Sequence, residues 1–184
     1  IFPKANLYQV PIRQARELNK EIEVFKDALN KVRQDMRDIH ERLAGKVAEE
    51  ERQLFDVYLH MLDDDALAKE VLERIQVGHW AQGALAEVAL EHIRSFEMMP
   101  DDYLRERAVD IKDLCSRVLF YLQQGEQVRT EYSENTILVS EEVTPAMLAD
   151  VPENKLKGIV SLKGSGNSHV AILARTMGIP TVMG

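Results

Sequence analysis

The sequence predicts a protein of mixed class, α/β plus all-α, in which an antiparallel helical bundle is inserted into an α/β domain. An apolar seam with helical spacing dominates residues 16–125, whereas short strand-like runs alternate with helices after Gly125. Residues 6–10 read as a lone strand, and a strand needs a partner, so we expect it to pair with the later strands. The predicted domains are therefore an α/β domain of residues 1–15 and 126–184, incomplete at its C-terminal end, and a bundle of residues 16–125.

The bundle begins with the most regular helical pattern in the chain. Apolar residues recur at alternating spacings of four and three within residues 16–44, which places them on one stripe of a long helix. The stripe comprises Leu18, Ile22, Phe25, Leu29, Val32, Met36, Ile39 and Leu43. Seams of this kind are typical of helices that pack in bundles.

Further helices complete the predicted bundle. We expect them at residues 47–62, 66–77, 80–96 and 101–125, separated by short connections that contain Asp, Gly and Pro. Cys115 is the only cysteine, and it lies on the apolar seam of the last helix. We interpret it as a buried core residue.

The residues after Gly125 have the pattern of a parallel α/β layer. Strands are expected at residues 136–139, 156–162 and 179–183. One helix begins at Thr144-Pro145, with Thr as the cap, and a second runs over residues 168–177. This alternation favours parallel pairing of the strands.

Composition and charge exclude several classes of function. Residues 16–125 contain 16 Lys and Arg against 24 Asp and Glu, so the whole net charge of −8 lies in the predicted bundle. Nucleic-acid binding needs a basic surface, whereas an acidic one favours a basic protein partner. The sequence has no apolar run of transmembrane length, and a single cysteine is typical of a reducing cytoplasm.

A glycine-rich loop, KGSGNSH at residues 163–169, joins a predicted strand to a predicted helix. The N-terminus of a helix favours an anion. A P-loop is excluded because no lysine follows Gly166, and His169 stands where a dinucleotide fingerprint needs a small residue. Two interpretations stay open on the residues alone. Either His169 is a nucleophile for a phosphoryl group, or the loop caps a helix and the histidine is incidental.

Two stretches resemble a known family. Gly164-Ser-Gly-Asn-Ser-His169-Val-Ala-Ile-Leu-Ala-Arg175, followed by Gly178-Ile-Pro-Thr-Val-Met-Gly184, resembles the phosphohistidine motif of Enzyme I of the phosphotransferase system. Residues 101–111 resemble the last bundle helix of Enzyme I, and residues 55–67 resemble its kinked helix. Pyruvate phosphate dikinase and phosphoenolpyruvate synthase share the swivelling phosphohistidine domain but lack the inserted bundle. A dikinase domain and a non-enzymatic helical adaptor are the alternatives.

The resemblance implies roles for individual residues. In the family, the histidine takes a phosphoryl group from phosphoenolpyruvate on its Nε2 atom, and this role falls on His169. The other candidate residues around the phosphoryl group are Gly164, Gly166, Asn167, Ser168 and Arg175. The family's bundle docks a small phosphocarrier of the HPr or NPr type. The positions that match its docking face are Glu49, Glu50, Gln53, Tyr58, Asp65 and Arg107.

The sequence departs from the sugar-branch members of the family. Asn167 stands in place of a threonine, and the Asn-Ser-His and Ile-Pro-Thr-Val-Met-Gly segments look more like the nitrogen branch, whose carrier is NPr. Sugar-branch enzymes also have a threonine that hydrogen-bonds the active histidine. Leu148 occupies that position here, so we expect Thr144 or Ser168 to replace it.

The resemblance also implies that the chain is the N-terminal half of a longer, dimeric enzyme, and we expect the half itself to be a monomer. Phosphoenolpyruvate and Mg²⁺ would bind a C-terminal domain outside this sequence, so the half should exchange phosphate with a carrier but not take it from phosphoenolpyruvate unaided. No cofactor or metal ligand set is expected here. The remaining histidines lack metal-ligand spacing and are interpreted as structural or surface residues: His40, His60, His79 and His92.

Overall fold

A computed structural model describes residues 5–63, 67–125 and 131–184 of the chain. Within these ranges, the first half is helical and confirms the predicted bundle helices. Their bounds are α1 (Leu18–Arg42), α2 (Glu49–Met61), α3 (Leu67–Gln76), α4 (Ala81–Glu97) and α5 (Asp102–Leu122). Each bound lies within a few residues of the predicted one.

The seam of α1 is the core-forming stripe that its spacing predicts. Phe25, Val32 and Met36 have no exposed surface, and Leu29 and Ile39 are almost completely buried. The start of the seam is less buried, because Leu18 is exposed and Ile22 is half-buried. Cys115 on α5 is buried, as predicted.

The second half forms a small parallel sheet with helices between its strands. The elements are β1 (Thr136–Glu142), α6 (Pro145–Asp150), β2 (Leu156–Lys163), α7 (His169–Thr176) and β3 (Thr181–Met183). The described strands pair in the order β1-β2-β3, all parallel, with Ile159 opposite Thr181 and Ser161 opposite Met183. This arrangement, together with the helical bundle, confirms the predicted fold class.

Residues 6–10 do not form the predicted strand, and that prediction was wrong. The side chain of Asn6 accepts a hydrogen bond from the backbone N–H of Tyr8, which turns the chain into a 3₁₀ helix over Leu7–Gln9. Asn side chains commonly compete in this way with regular backbone pairing. Leu7 is buried, and the turn packs on α4 and α5.

The described residues divide into two compact units. One contains residues 37–56 and 131–184, and the other contains residues 5–36 and 57–125 with its gap at 64–66. Because α1 and α2 each contribute residues to both units, the two units do not follow the predicted boundaries near residues 15 and 125. Those domain boundaries stay a prediction.

Candidate functional site

The glycine-rich loop lies at the carboxyl edge of the parallel sheet. It follows the last residue of β2, Lys163, and leads directly into α7. Carboxyl ends of neighbouring parallel strands meet at one edge, which is where ligands bind in open α/β sheets. The loop backbone is held by a hydrogen bond that the N–H of Ser168 donates to the carbonyl of Ser165 over 3.1 Å.

His169 is the first residue of α7 and is half-buried. Ser168 precedes it as the N-cap, and its Oγ accepts a hydrogen bond from the N–H of Ala171 over 3.3 Å. The imidazole therefore stands in the first turn of a capped helix, where the backbone N–H groups carry partial positive charge. This location favours a negatively charged group beside the ring.

Arg175 is tied to the loop rather than directed only at solvent. Its guanidinium donates a hydrogen bond through Nη2 to the carbonyl oxygen of Gly166 over 3.1 Å, from the last turn of α7. The side chain remains exposed, so it can also face an anion at the loop. Gly166 and Asn167 are exposed as well.

Met183 is a loop contact that the sequence did not reveal. A Cβ added to Gly164 would lie 3.1 Å from the Met183 Sδ, and the Ser168 hydroxyl donates to the same sulfur over 3.7 Å. Met183 ends β3, fifteen residues beyond Ser168, and no local pattern links the two positions. The thioether thus supports the loop from the neighbouring strand.

The hydroxyls expected to replace the family threonine are both used as helix caps. Thr144 is buried, and its Oγ1 accepts from the N–H of Met147 over 3.2 Å at the start of α6. Ser168 caps α7 in the same manner. Leu148 is fully buried. Orientation of the imidazole by either hydroxyl stays a prediction.

The predicted docking residues fall in different environments. Glu49, Glu50 and Gln53 are exposed on α2, and Glu49 forms an ion pair of 2.6 Å with Arg52. Asp65 lies outside the described residues. The acidic side chains also suit the first turn of α2, where they complement the helix dipole.

Tyr58 and Arg107 are parts of the bundle interior. The Tyr58 hydroxyl is buried and donates to the Asp110 Oδ1 over 2.6 Å. Arg107 is half-buried, with its Nη1 atom 3.7 Å from the Asp110 Oδ2. A docked protein would not reach Tyr58 in this conformation, so the sequence match to a docking position does not place it on a surface.

Each of the remaining histidines lies beside the carboxylate of an Asp or Glu residue. His60 pairs with Asp63, His79 with Glu87 and His92 with Glu70, at 2.9–3.2 Å. His40 lies 3.8 Å from Asp56. Across the described ranges, no group of three or more His, Cys, Asp or Glu side chains could hold a metal ion.

None of the described helices combines the length and the apolar character that a bilayer-spanning helix needs.

Two family profiles match: "PEP-utilising enzyme, N-terminal" over residues 3–107 and "PEP-utilising enzyme, mobile domain" over residues 132–184. The chain therefore belongs to the PEP-utilising enzymes, and its relatives include Enzyme I homologues of the phosphotransferase system.

Individual relatives agree with this assignment. The chain is 36% identical over 157 residues to a protein of Escherichia coli (strain K12) named "Phosphoenolpyruvate-dependent phosphotransferase system", covering 85% of this chain and 21% of that protein. It is 33% identical over 175 residues to the "Phosphoenolpyruvate-protein phosphotransferase" of Geobacillus stearothermophilus, covering 94% and 30% respectively. The chain thus spans between a fifth and a third of the length of these curated relatives.

Two solved structures share the fold. The "N-terminal domain of Enzyme 1 - Nitrogen" matches with a TM-score of 0.68 and 33% identity over 96% of this chain and 73% of that one. A solution structure of Enzyme I, nEIt, matches with a TM-score of 0.76 and 25% identity over 99% and 75%. Both matches extend over the helical bundle and the parallel α/β part of this chain.

Proposed function

We propose that this chain is the phosphotransfer region of a nitrogen-branch Enzyme I, in which His169 carries a phosphoryl group derived from phosphoenolpyruvate. The observation that carries the proposal is the position of His169. It is half-buried in the first turn of α7, directly after a glycine-rich loop at the carboxyl edge of the sheet. The family membership supplies the class of chemistry, and we place the reaction in the cytoplasm.

The proposed step exchanges one phosphorus–nitrogen bond for another. A ring-nitrogen lone pair of the carrier histidine attacks the phosphorus carried on the Nε2 atom of His169, and the bond between that phosphorus and Nε2 breaks. The His169 imidazole leaves with the electron pair and takes up one proton, and the other ring nitrogen of the carrier histidine releases one; the labelling experiment below runs the same step in reverse. The N-terminus of α7 and the Arg175 guanidinium stabilise the charge of the transferred group.

The docking partner in this proposal is a small NPr-like or HPr-like phosphocarrier. The exposed acidic start of α2, with Glu49 and Glu50, and Gln53 one turn later support a basic partner surface. Arg107, held near Asp110, is the weaker candidate because it is half-buried. The nitrogen branch is favoured by the higher sequence identity to the nitrogen structure, 33% against 25%. The TM-score is lower for the nitrogen structure, 0.68 against 0.76, but fold similarity does not distinguish two branches that share a fold.

The decisive experiment incubates the chain with a ³²P-labelled NPr-like carrier and maps the label. We expect alkali-stable, acid-labile label on His169 and none on His169→Ala. A matched control, His60→Ala, removes an exposed histidine of α2 and should label like the parent chain. Label on another residue, or persistent label on His169→Ala, would refute the phosphohistidine assignment.

A second arm tests the docking face separately from the chemistry. Glu49→Lys combined with Glu50→Lys should weaken carrier binding by about tenfold or more, with a larger effect at low salt. The matched control is Glu97→Lys with Glu91→Lys on α4. Normal carrier binding with no phosphate on any residue would favour the adaptor alternative. Absence of carrier binding would favour the dikinase alternative.

A further inference from the structure

A cleft opens at the amino edge of the sheet, away from the glycine-rich loop. Its volume is about 630 Å³, and it is bounded by the end of α1, the connection from α6 to β2 and the connection from α7 to β3. Leu156, the first residue of β2, lines it, whereas the loop follows Lys163 at the other end of that strand. The cleft and the His169 loop are therefore at opposite ends of the same strand.

The floor of the cleft is apolar. Leu43, Val151, Leu156 and Ile179 line it and are all buried. Clefts of roughly 300–1,000 Å³ with apolar linings and a few polar groups are the usual form of small-molecule sites. The size of the cleft and its apolar floor both fit a ligand with an apolar body.

The rim of the cleft is basic. Arg42, Lys46 and Lys157 line it, against the single carboxylate of Glu153. Lys46 pairs with Glu153 at 3.1 Å. Within the described residues, Arg42 and Lys157 form no ion pair and are exposed. Two cations thus remain available to an anion at the mouth of a cleft with an apolar floor.

We propose that this cleft binds a small molecule that combines an anionic group with an apolar body. The anionic group would lie among Arg42 and Lys157 at the rim, and the apolar body on Leu43 and Ile179. The Glu153 carboxylate weakens the attraction but is already paired with Lys46. Since α7 begins at His169 and Met177 and Gly178 after its end line the cleft, one helix connects this site with the candidate phosphoryl site.

A positive charge at the rim can also stabilise α1 without binding a ligand, and the experiment has to distinguish these two roles. Arg42 is in the last turn of α1, where a positive charge complements the helix dipole. A cation that serves only the dipole would stabilise α1 and leave ligand binding unaffected. Binding measurements on charge-neutral variants distinguish the two roles.

The test uses the 184-residue chain and 1-naphthyl phosphate as the probe, followed by ¹⁵N NMR of the backbone amides. We expect saturable shifts at Lys46, Asn154 and Gly178, and weaker ones with inorganic phosphate or with neutral 1-naphthol. Shifts confined to the loop at residues 164–168, or no saturable shift at all, would overturn the proposal.

Matched variants complete the test. Arg42→Gln and Lys157→Gln should each weaken probe binding by about threefold or more, as the loss of one partly exposed charge contact implies. Arg37→Gln on the same helix and Lys69→Gln on α3 remove equal charge elsewhere and should leave binding unchanged. If the two control variants weakened probe binding as much as Arg42→Gln and Lys157→Gln do, the effect would come from net charge alone. That result would overturn the proposed site. Neither a carrier nor His169 is needed, so the result is independent of the proposed function.

Discussion

At the scale of single residues, the loop beside His169 depends on the glycine at position 164. Gly164 has φ of +127°, a region that side chains rarely adopt, and a Cβ there would lie 3.1 Å from the Met183 Sδ. We expect Gly164→Ala to lower the free energy of unfolding by about 1–3 kcal/mol. Thermal unfolding followed by circular dichroism measures the loss.

Gly166 provides the control within the same loop. Its backbone lies outside the left-handed region, and an added Cβ would meet no atom within 4 Å. Gly166→Ala should therefore change stability by less than about 0.5 kcal/mol. Equal losses in the two variants would show that Met183 and the backbone conformation at Gly164 do not constrain the loop.

Two buried groups that lose a proton at high pH, the Cys115 thiol and the Tyr58 hydroxyl, predict a loss of stability at alkaline pH. Burial raises the pKa of Cys115 from 9.0 to about 12. Burial and the neighbouring Asp110 raise the pKa of Tyr58 well above 10.0. Both folded-state pKa values are higher than the unfolded ones, so the stability is fully present below pH 9 and falls as the pH rises from there.

Urea unfolding between pH 7 and about pH 11 measures this slope, which for one group approaches about 1.4 kcal/mol per pH unit. Cys115→Ala is the matched variant, because it removes the thiol whatever its effect on overall packing. Its unfolding free energy should decline less steeply above pH 9 than that of the parent chain. Parallel curves would contradict the buried-thiol contribution.

Some contacts of the candidate site follow from the local sequence, and others depend on how distant elements meet. The Ser168 cap and the position of His169 in the first turn follow from local rules that operate within four residues. The Met183 contact and the hydrogen bond from Arg175 to Gly166 depend on how a strand and a helix end meet the loop. Local patterns hold no information on such contacts, so the sequence indicated the loop but not what holds it.

At the scale of elements, the N-terminus of α4 has a cap supplied by a different helix. Trp80 occupies the N-cap position without a side-chain cap, and its indole N–H donates instead to the carbonyl of Pro11. The N–H of Ala81 donates to the Glu21 carboxylate on α1 over 2.8 Å. A carboxylate there satisfies an end-of-helix donor and complements the dipole.

We expect Glu21→Ala to lower the free energy of unfolding by about 1 kcal/mol, as loss of an N-cap does. Glu23→Ala on the same helix removes an exposed carboxylate and is the matched control. Urea unfolding at neutral pH measures both. A loss at Glu23 equal to that at Glu21 would assign the effect to α1 itself instead of to the cap of α4.

Among the elements, sequence periodicity predicted the buried face of α1 but not the structure of residues 6–10. The seam of α1 predicted its buried face because every turn repeats the same spacing, and burial then follows from packing. Residues 6–10 are too short for periodicity to decide, and the Asn6 side chain gave a 3₁₀ turn instead of a strand. In the strands from 136 onward, β-branched runs and flanking turns agreed, so the parallel sheet was predicted correctly.

At the scale of the whole molecule, one face of the sheet is unusually apolar for a surface. The register of the strands places Ile137, Val139, Leu162 and Val182 on the same face, where they are 60%, 63%, 69% and 66% exposed. The opposite face contains Leu138 and Ile159, which are buried. Parallel sheets are normally buried on both faces, and exposed apolar patches promote association.

The 184-residue chain should therefore self-associate through this face at high concentration, which would limit the expected monomer to dilute solution. Ile137→Thr with Val139→Thr replaces two exposed aliphatic side chains and should lower both the weight-average mass in sedimentation and the fluorescence of a bound apolar dye. Val24→Thr with Val57→Thr makes the same change at exposed positions on α1 and α2 and should alter neither. Because threonine retains the β-branch, the strand propensity of β1 is preserved, and a decrease reflects lost apolar surface instead of unfolding. Association that persists in the β1 variant would place the contact elsewhere on the molecule.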